Sequence, residues 1–249
     1  MSDGVRITWL GHATFLLRGP DGFTLLVDPF VASNPSCPQQ LHAFERLDAI
    51  AITHGHGDHV ADVRSVFDQA RPAAVVAIVE VAHWLRAQGI DDGAVVEMNK
   101  GGTVRTGSVD ITMVAAHHSA GIADGDRMLY GGEPAGLVFR FDDGTSVYHA
   151  GDTNVFGDMS LIGELYEPDI ALLPIGDRYT MGPREAAKAI ELLGVRRVIP
   201  MHYGTWPILT GTPEKLREEC AARGVEVEVI DLEPGATWAC WGIAAAGRR

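Results

Sequence analysis

The sequence predicts an α/β protein built from two sheets packed face to face with helices outside. Strand-like runs come first and alternating strand and helix follow. That order is given twice along 249 residues, with no linker or low-complexity segment between the halves. The length allows one large domain or two small ones. A single domain over residues 1–249 is the simpler organisation.

Taken in order, residues 5–10 and 14–17 alternate as paired strands, Gly19-Pro20-Asp21-Gly22 supplies a turn, and 23–27 return as a third strand. Short apolar strands at 49–52 and 74–79 then alternate with helical segments at 59–69 and 80–88. A second strand-rich stretch covers 95–115, and 137–149 reads as a hairpin turning at Asp142-Asp143-Gly144. Beyond it, 170–174 is a buried strand, 184–193 a helix opened by Gly182-Pro183, and 197–200 another strand. Thr212-Pro213 caps a helix running to Arg223, and strands at 225–230 and 237–241 close the chain.

Composition narrows the function. With 46% apolar and 21% charged residues the chain is of ordinary globular type. A net charge of −13 repels polyanions and provides no counterion-release term, so no nucleic-acid partner is expected. The longest apolar stretch, 73–79, is far short of the ~20 residues a spanning helix needs, so no membrane partner is expected either. The opening MSDGVRITWLGHATF reads as the start of a strand rather than a signal peptide. Cys37, Cys220 and Cys240 are odd in number and widely spaced, which argues against a disulfide framework and points to the cytoplasm.

The chemistry concentrates in Ile52-Thr53-His54-Gly55-His56-Gly57-Asp58-His59, directly after an apolar strand. Drawn at random from this composition, His-x-His-x-Asp-His would occur in about one chain in a thousand of this length, so accident is a poor explanation. Neutral imidazoles and carboxylates suit zinc, manganese or iron. His54 and His56 can point the same way from extended chain, whereas Asp58 and His59, where the helix begins, face a neighbouring position. Further ligand types end other strands: His117-His118 after 111–115, Asp152 after 146–150, and His202 after 198–201. Such strand ends converge in layered α/β folds. Seven candidates exceed what one closed structural site needs, which favours a reactive centre.

These motifs resemble the metallo-β-lactamase superfamily, over nearly the whole chain. Gly11-His12-Ala13-Thr14, Val27-Asp28-Pro29-Phe30, His118-Ser119-Ala120-Gly121-Ile122, His149-Ala150-Gly151-Asp152-Thr153, Pro174-Ile175-Gly176-Asp177 and Pro200-Met201-His202-Tyr203 are similar to its bacterial metal-dependent hydrolase branch. That branch resembles L-ascorbate-6-phosphate lactonases and, more distantly, ribonuclease Z. The resemblance implies a four-layer αβ/βα sandwich and a binuclear metal site. His54, His56 and His118 would hold one ion, Asp58, His59 and His202 the second, and Asp152 would bridge them. The family pattern of His followed by Ser selects His118 over His117. β-Lactamases themselves typically carry Cys at the bridging position, and Asp152 argues against that activity.

Two divalent ions, zinc or manganese, can share a water as a bridging hydroxide nucleophile, and they polarise the substrate oxygen. The expected activity is hydrolysis of an ester, lactone or phosphodiester small molecule. The alternative is a ribonuclease Z-type nuclease, but Lys100, Lys188 and Lys215 are too dispersed to form a nucleic-acid track. A flavodiiron-like redox protein would have altered ligands and a flavin domain. Asp58 is placed to orient the hydroxide or move its proton. His12 is either a substrate contact and proton donor or a histidine bonded to the backbone of the ligand loop. Asp28 is expected to hold a ligand histidine or its loop. His149 reads as a packed, satisfied histidine, Asp177 and Thr180 as turn or pocket residues, and His42 and His83 as having no special claim. Trp206 is the one tryptophan placed to wall the pocket. By analogy with the lactonases, a homo-oligomer is expected.

Overall fold

The structure is a computed structural model that describes residues 4–240. Its first half contains β1 (Val5–Trp9), β2 (Phe15–Arg18), β3 (Thr24–Val27), β4 (Ala49–Ala51), β5 (Ala74–Ile78) and β6 (Val95–Met98), with helices α1 (Gly57–Val60), α2 (Val63–Ala70) and α3 (Val79–Ala87). The second half contains β7 (Thr103–Thr106), β8 (Val109–Ala115), β9 (Gly121–Asp124), β10 (Arg127–Tyr130), β11 (Ala135–Phe141), β12 (Ser146–His149), β13 (Ile170–Pro174), β14 (Arg197–Met201) and β15 (Glu228–Val229). Helices α4 (Met159–Tyr166), α5 (Pro183–Leu193) and α6 (Pro213–Arg223) accompany them, and β16 (Thr237–Cys240) ends the described chain.

These strands form two seven-stranded sheets, β16-β1-β2-β3-β4-β5-β6 and β15-β14-β13-β12-β11-β8-β7, with β9 and β10 as a separate ribbon. The α/β sandwich expected from the sequence is the fold observed. Strand alternation explains the layering, because successive side chains leave opposite faces. In the second sheet Ile111, Met113, Leu172 and Ile199 pack with Ile7, Phe15 and Ile50 of the first. Their neighbours Val114, Ala171, Leu173 and Val198 pack outward with Ile162 of α4, Ile190 of α5 and Leu216 of α6. On the far side of the first sheet, Phe67 of α2 and Leu85 of α3 complete its cover.

Two local expectations are corrected. The helix expected over 59–69 is two helices, α1 and α2. Asp62, between them, has φ −105° and ψ 7°. Its carboxylate accepts from the Val31 amide (2.7 Å), the Ser33 amide (3.0 Å) and the Ser33 hydroxyl (2.9 Å), pinning the loop after β3. The strand expected over 225–230 contracts to β15, an edge strand paired only through Arg197 and Val198. The β9–β10 ribbon and α4 join the elements read from sequence. The closing strand is present as β16, and its expected last residue, Trp241, lies outside the described residues. Thr212 caps α6 as expected, its hydroxyl accepting from the Lys215 amide at 3.3 Å.

Candidate metal centre

The chain leaves one end of both sheets through the loops that carry the candidate residues. His12 follows β1, Asp28 follows β3 and the 54–59 motif follows β4; His118, Asp152 and His202 follow β8, β12 and β14. All but Asp28 of these nine come together as donors, and Asp28 is bonded to His59. His12, Asp58, His59 and His202 each offer a donor atom within 4.8 Å of one another, and so do His54, His56, His118 and Asp152. Asp152 lies between the groups. Its Oδ2 is 3.1 Å from His202 Nε2 and 3.5 Å from His118 Nε2, and its Oδ1 is 3.3 Å from His59 Nε2. His117 turns away and stacks on Phe156, ring centroids 4.5 Å apart.

Buried Asp28 aims two of the histidines. Its Oδ1 accepts the Thr53 amide at 2.8 Å, and its Oδ2 accepts the Thr53 hydroxyl and His59 Nδ1–H, both at 2.7 Å. Since the Thr53 hydroxyl donates to Asp28, its oxygen accepts His54 Nδ1–H at 3.0 Å. One carboxylate thus holds both imidazoles by Nδ1 and presents their Nε2 atoms to the centre. Nothing in the spacing of the sequence marked Thr53 for this relay; its position as the last residue before the motif is the only available signal.

His12 is bonded to the side chain of Asp58, not to the backbone of the ligand loop. Its Nε2 lies 3.0 Å from Asp58 Oδ2 and its Nδ1 3.0 Å from Thr205 Oγ1, while Trp206 closes on its ring at 5.0 Å. Burial, assisted by His202 and His59, lowers the His12 pKa to about 4 against the opposing pull of Asp58. Burial works to raise the Asp58 carboxyl, but the His12 bond and the His59 charge overcome it and hold it well below the usual carboxylate range. The two therefore meet at neutral pH as a neutral imidazole donating from Nε2 to a carboxylate, with Nδ1 accepting from Thr205.

The centre is electrostatically unbalanced in a way that suits a cation. Burial keeps His54, His56 and His118 low, hence neutral and able to donate lone pairs. Burial also opposes the charged form of His59, but Asp152 and Asp28 outweigh it and hold its pKa well above the usual imidazole range. Asp152, raised by burial and lowered more strongly by His202 and His59, is held well below its usual range. His59 Nε2, Asp152 Oδ1 and both ring nitrogens of His202 are buried without a hydrogen-bond partner. Buried polar atoms are rarely left so. Such atoms, facing one another among imidazoles and carboxylates, fit a divalent cation.

Backbone strain marks the same place. His12 (φ 55°), Asp28 (φ 50°) and His202 (φ 57°) are non-glycine residues in the left-handed region, each at a cost on the order of 1–3 kcal/mol. Gly151, just before Asp152, has φ 61°, and a Cβ there would come within 2.6 Å of the Ala135 carbonyl oxygen. At Gly55 a Cβ would collide with Ile122 of β9, which is seated on the ligand loop.

The residues given secondary weight also find places. His149 is buried and satisfied, accepting the Gly151 amide on Nδ1 at 3.1 Å and lying 2.9 Å from the Ala13 carbonyl through Nε2. Asp177 sits in a turn, its carbonyl accepting from Tyr179 and Thr180. His42 contacts the Cys37 carbonyl at 3.1 Å. Ser119, which in the sequence served only to mark His118, places its hydroxyl 3.4 Å from His56 Nε2.

Residues 23–203 match the family model of the beta-lactamase superfamily domain. A metal-dependent hydrolase of Rubrobacter xylanophilus is 52% identical over 94% of this chain and 96% of that protein. The chain belongs to the metallo-β-lactamase superfamily. Within it, a metal-dependent hydrolase of Methanopyrus kandleri is 46% identical over 94% of this chain and 99% of that protein. Igni18, a metallo hydrolase of the archaeon Ignicoccus hospitalis, has a similar structure, with TM-score 0.79 and 33% identity over 95% of this chain and 98% of that one. Like these relatives the chain is a metal-dependent hydrolase, and its His/Asp cluster occupies the end of the sandwich where its strands deliver donors. Among the described residues no helix is long and apolar enough to cross a membrane.

Proposed function

We propose that the cluster holds two divalent cations, zinc or manganese, and that the enzyme hydrolyses an ester, lactone or phosphodiester bond of a small molecule. The observation that carries this reading is the set of buried atoms on His59, Asp152 and His202 that lack a hydrogen-bond partner and face one another at the junction of the two donor groups. His54, His56 and His118 would hold one cation, Asp58, His59 and His202 the other, with Asp152 shared. Bound there, the cations would supply a water of lowered pKa and a Lewis acid for the substrate oxygen.

The chain's own residues do the rest. Asp58, its side chain 30% exposed, reaches the solvent side of the cluster, where its carboxylate can orient the attacking water. His12 holds one of its oxygens, so the carboxylate keeps one orientation, and Thr205 fixes the imidazole behind it. Trp206 and Phe30 wall this side and keep water off His12.

A small molecule fits better than RNA. The ion pairs of the cluster are histidine–carboxylate pairs, whereas Arg86 and Arg105 are engaged with the surface carboxylates Asp92, Glu97, Asp110 and Asp142. Cys37, Cys220 and Cys240 are free, buried thiols, which supports a reducing compartment such as the cytoplasm. The test is a hydrolysis screen of protein loaded with zinc or manganese, setting bis(p-nitrophenyl) phosphate beside lactones, thioesters and an oligoribonucleotide. Cleavage of a small ester, lactone or phosphodiester that chelation removes is expected. Cleavage of the oligoribonucleotide alone would overturn the small-molecule reading.

A further inference from the structure

We propose that His149 is a positioning residue, which sets the turn carrying Asp152 against the loop carrying His12. The proposal rests on the reading that Asp152 is a metal ligand. His149 ends β12 and is fully buried. Its Nδ1 accepts the Gly151 amide at 3.1 Å, so that nitrogen carries no proton. The ring proton is then on Nε2, which donates to the Ala13 carbonyl at 2.9 Å. Phe15 meets the ring edge-on, centroids 5.6 Å apart at 83°, and fixes its plane.

Each end of this bridge is one residue from the metal centre. Gly151 precedes Asp152, and its left-handed backbone allows the turn. Ala13 follows His12, whose carbonyl accepts from Trp9 Nε1 at 2.9 Å and from the His202 amide at 3.0 Å. Thr14, next in line, donates its hydroxyl to the Asp28 carbonyl at 2.7 Å. A single imidazole therefore ties the strand end that delivers Asp152 to the loop that carries His12 and bonds to His202 and Asp28. Filling core volume would need only an apolar side chain, whereas an imidazole placed here must have both nitrogens satisfied to offset its burial.

The two bonds can be separated. In His149→Asn the amide oxygen can stand where Nδ1 stands and keep the Gly151 bond, but the side chain is too short to reach Ala13. In His149→Gln the amide nitrogen can reach Ala13, and Gly151 loses its acceptor. Both variants and wild type are stripped of metal and titrated with cobalt(II), followed by visible absorption, alongside thermal melts of the metal-free forms. The expected result is that both variants bind cobalt at least about tenfold more weakly than wild type, because each cuts one end of the bridge, with melting temperatures similar to one another. Either variant binding as wild type does overturns the proposal alone. A wild type that takes up no cobalt refutes the metal reading itself. A second readout needs no variant. In 15N-histidine-labelled wild type the His149 proton is expected on Nε2, and finding it on Nδ1 overturns the proposal.

Discussion

In the first sheet the second strand, β1, leads to His12 and the fourth, β3, to Asp28; in the second sheet the matching strands, β8 and β12, lead to His118 and Asp152. The match extends to strand direction. Counted from β16 in one sheet and from β7 in the other, each has three antiparallel pairings followed by three parallel ones. Equivalent positions nevertheless do different work. Asp28 accepts three hydrogen bonds from Thr53 and His59, whereas Asp152 turns its two oxygens toward His59, His118 and His202. At the fifth strand the asymmetry reverses: β4 feeds the whole 54–59 motif and β13 feeds only the Asp177 turn. The lesson is that topology brings strand ends together, and the hydrogen bonds already made by each carboxylate decide which one stays free for a cation.

Substituting the paired aspartates tests that division most severely. Asp152→Ala is expected to bring hydrolysis to background and to strip metal, while Asp28→Ala costs about 10- to 100-fold in metal affinity and retains measurable turnover. Equal losses in the two variants would break the comparison. The paired histidines come next. His118→Ala is expected to be severe and His12→Ala intermediate, with kcat/KM as the measure. His117→Ala, which removes a ring stacked on Phe156, is expected to be mild in both activity and melting temperature.

Much of this division was legible beforehand. The 54–59 spacing and the His and Asp residues at later strand ends sufficed to gather the donors, because strand ends in layered α/β folds meet at one edge. Asp28 was legible as a support through its place after an apolar strand. The partner of His12 was not, since Asp58 lies 46 residues away and only packing brings them to 3.0 Å. The break of the 59–69 helix was hidden for a similar reason. Asp62 acts on the backbone of Val31 and Ser33, and no local propensity reports a contact across that separation. The β9–β10 ribbon is short, and its place is set by Ile122 against Gly55, again a tertiary contact.

A smaller effect sharpens the electrostatic side of the comparison. Asp152 and Asp28, one from each sheet, hold the His59 pKa well above the ordinary imidazole value, so His59 in metal-free protein carries both ring protons at neutral pH. A cation that takes Nε2 must expel one of them. Metal affinity is then expected to rise with pH by about tenfold per unit for each proton released, until pH passes the His59 pKa. Calorimetric titration in two buffers of different ionisation enthalpy measures the released proton directly. In Asp28→Ala the release is expected to shrink, because one of the two carboxylates that hold the proton is gone.

The central claim is that the two donor groups hold one cation each and share Asp152. Metal analysis of protein reconstituted with zinc or manganese and freed of excess, run beside Asp152→Ala, tests it most directly. The account expects about two equivalents per chain in the wild type and a loss of bound metal in the variant. A wild type that holds a single equivalent, or an Asp152→Ala variant that retains two, would contradict it.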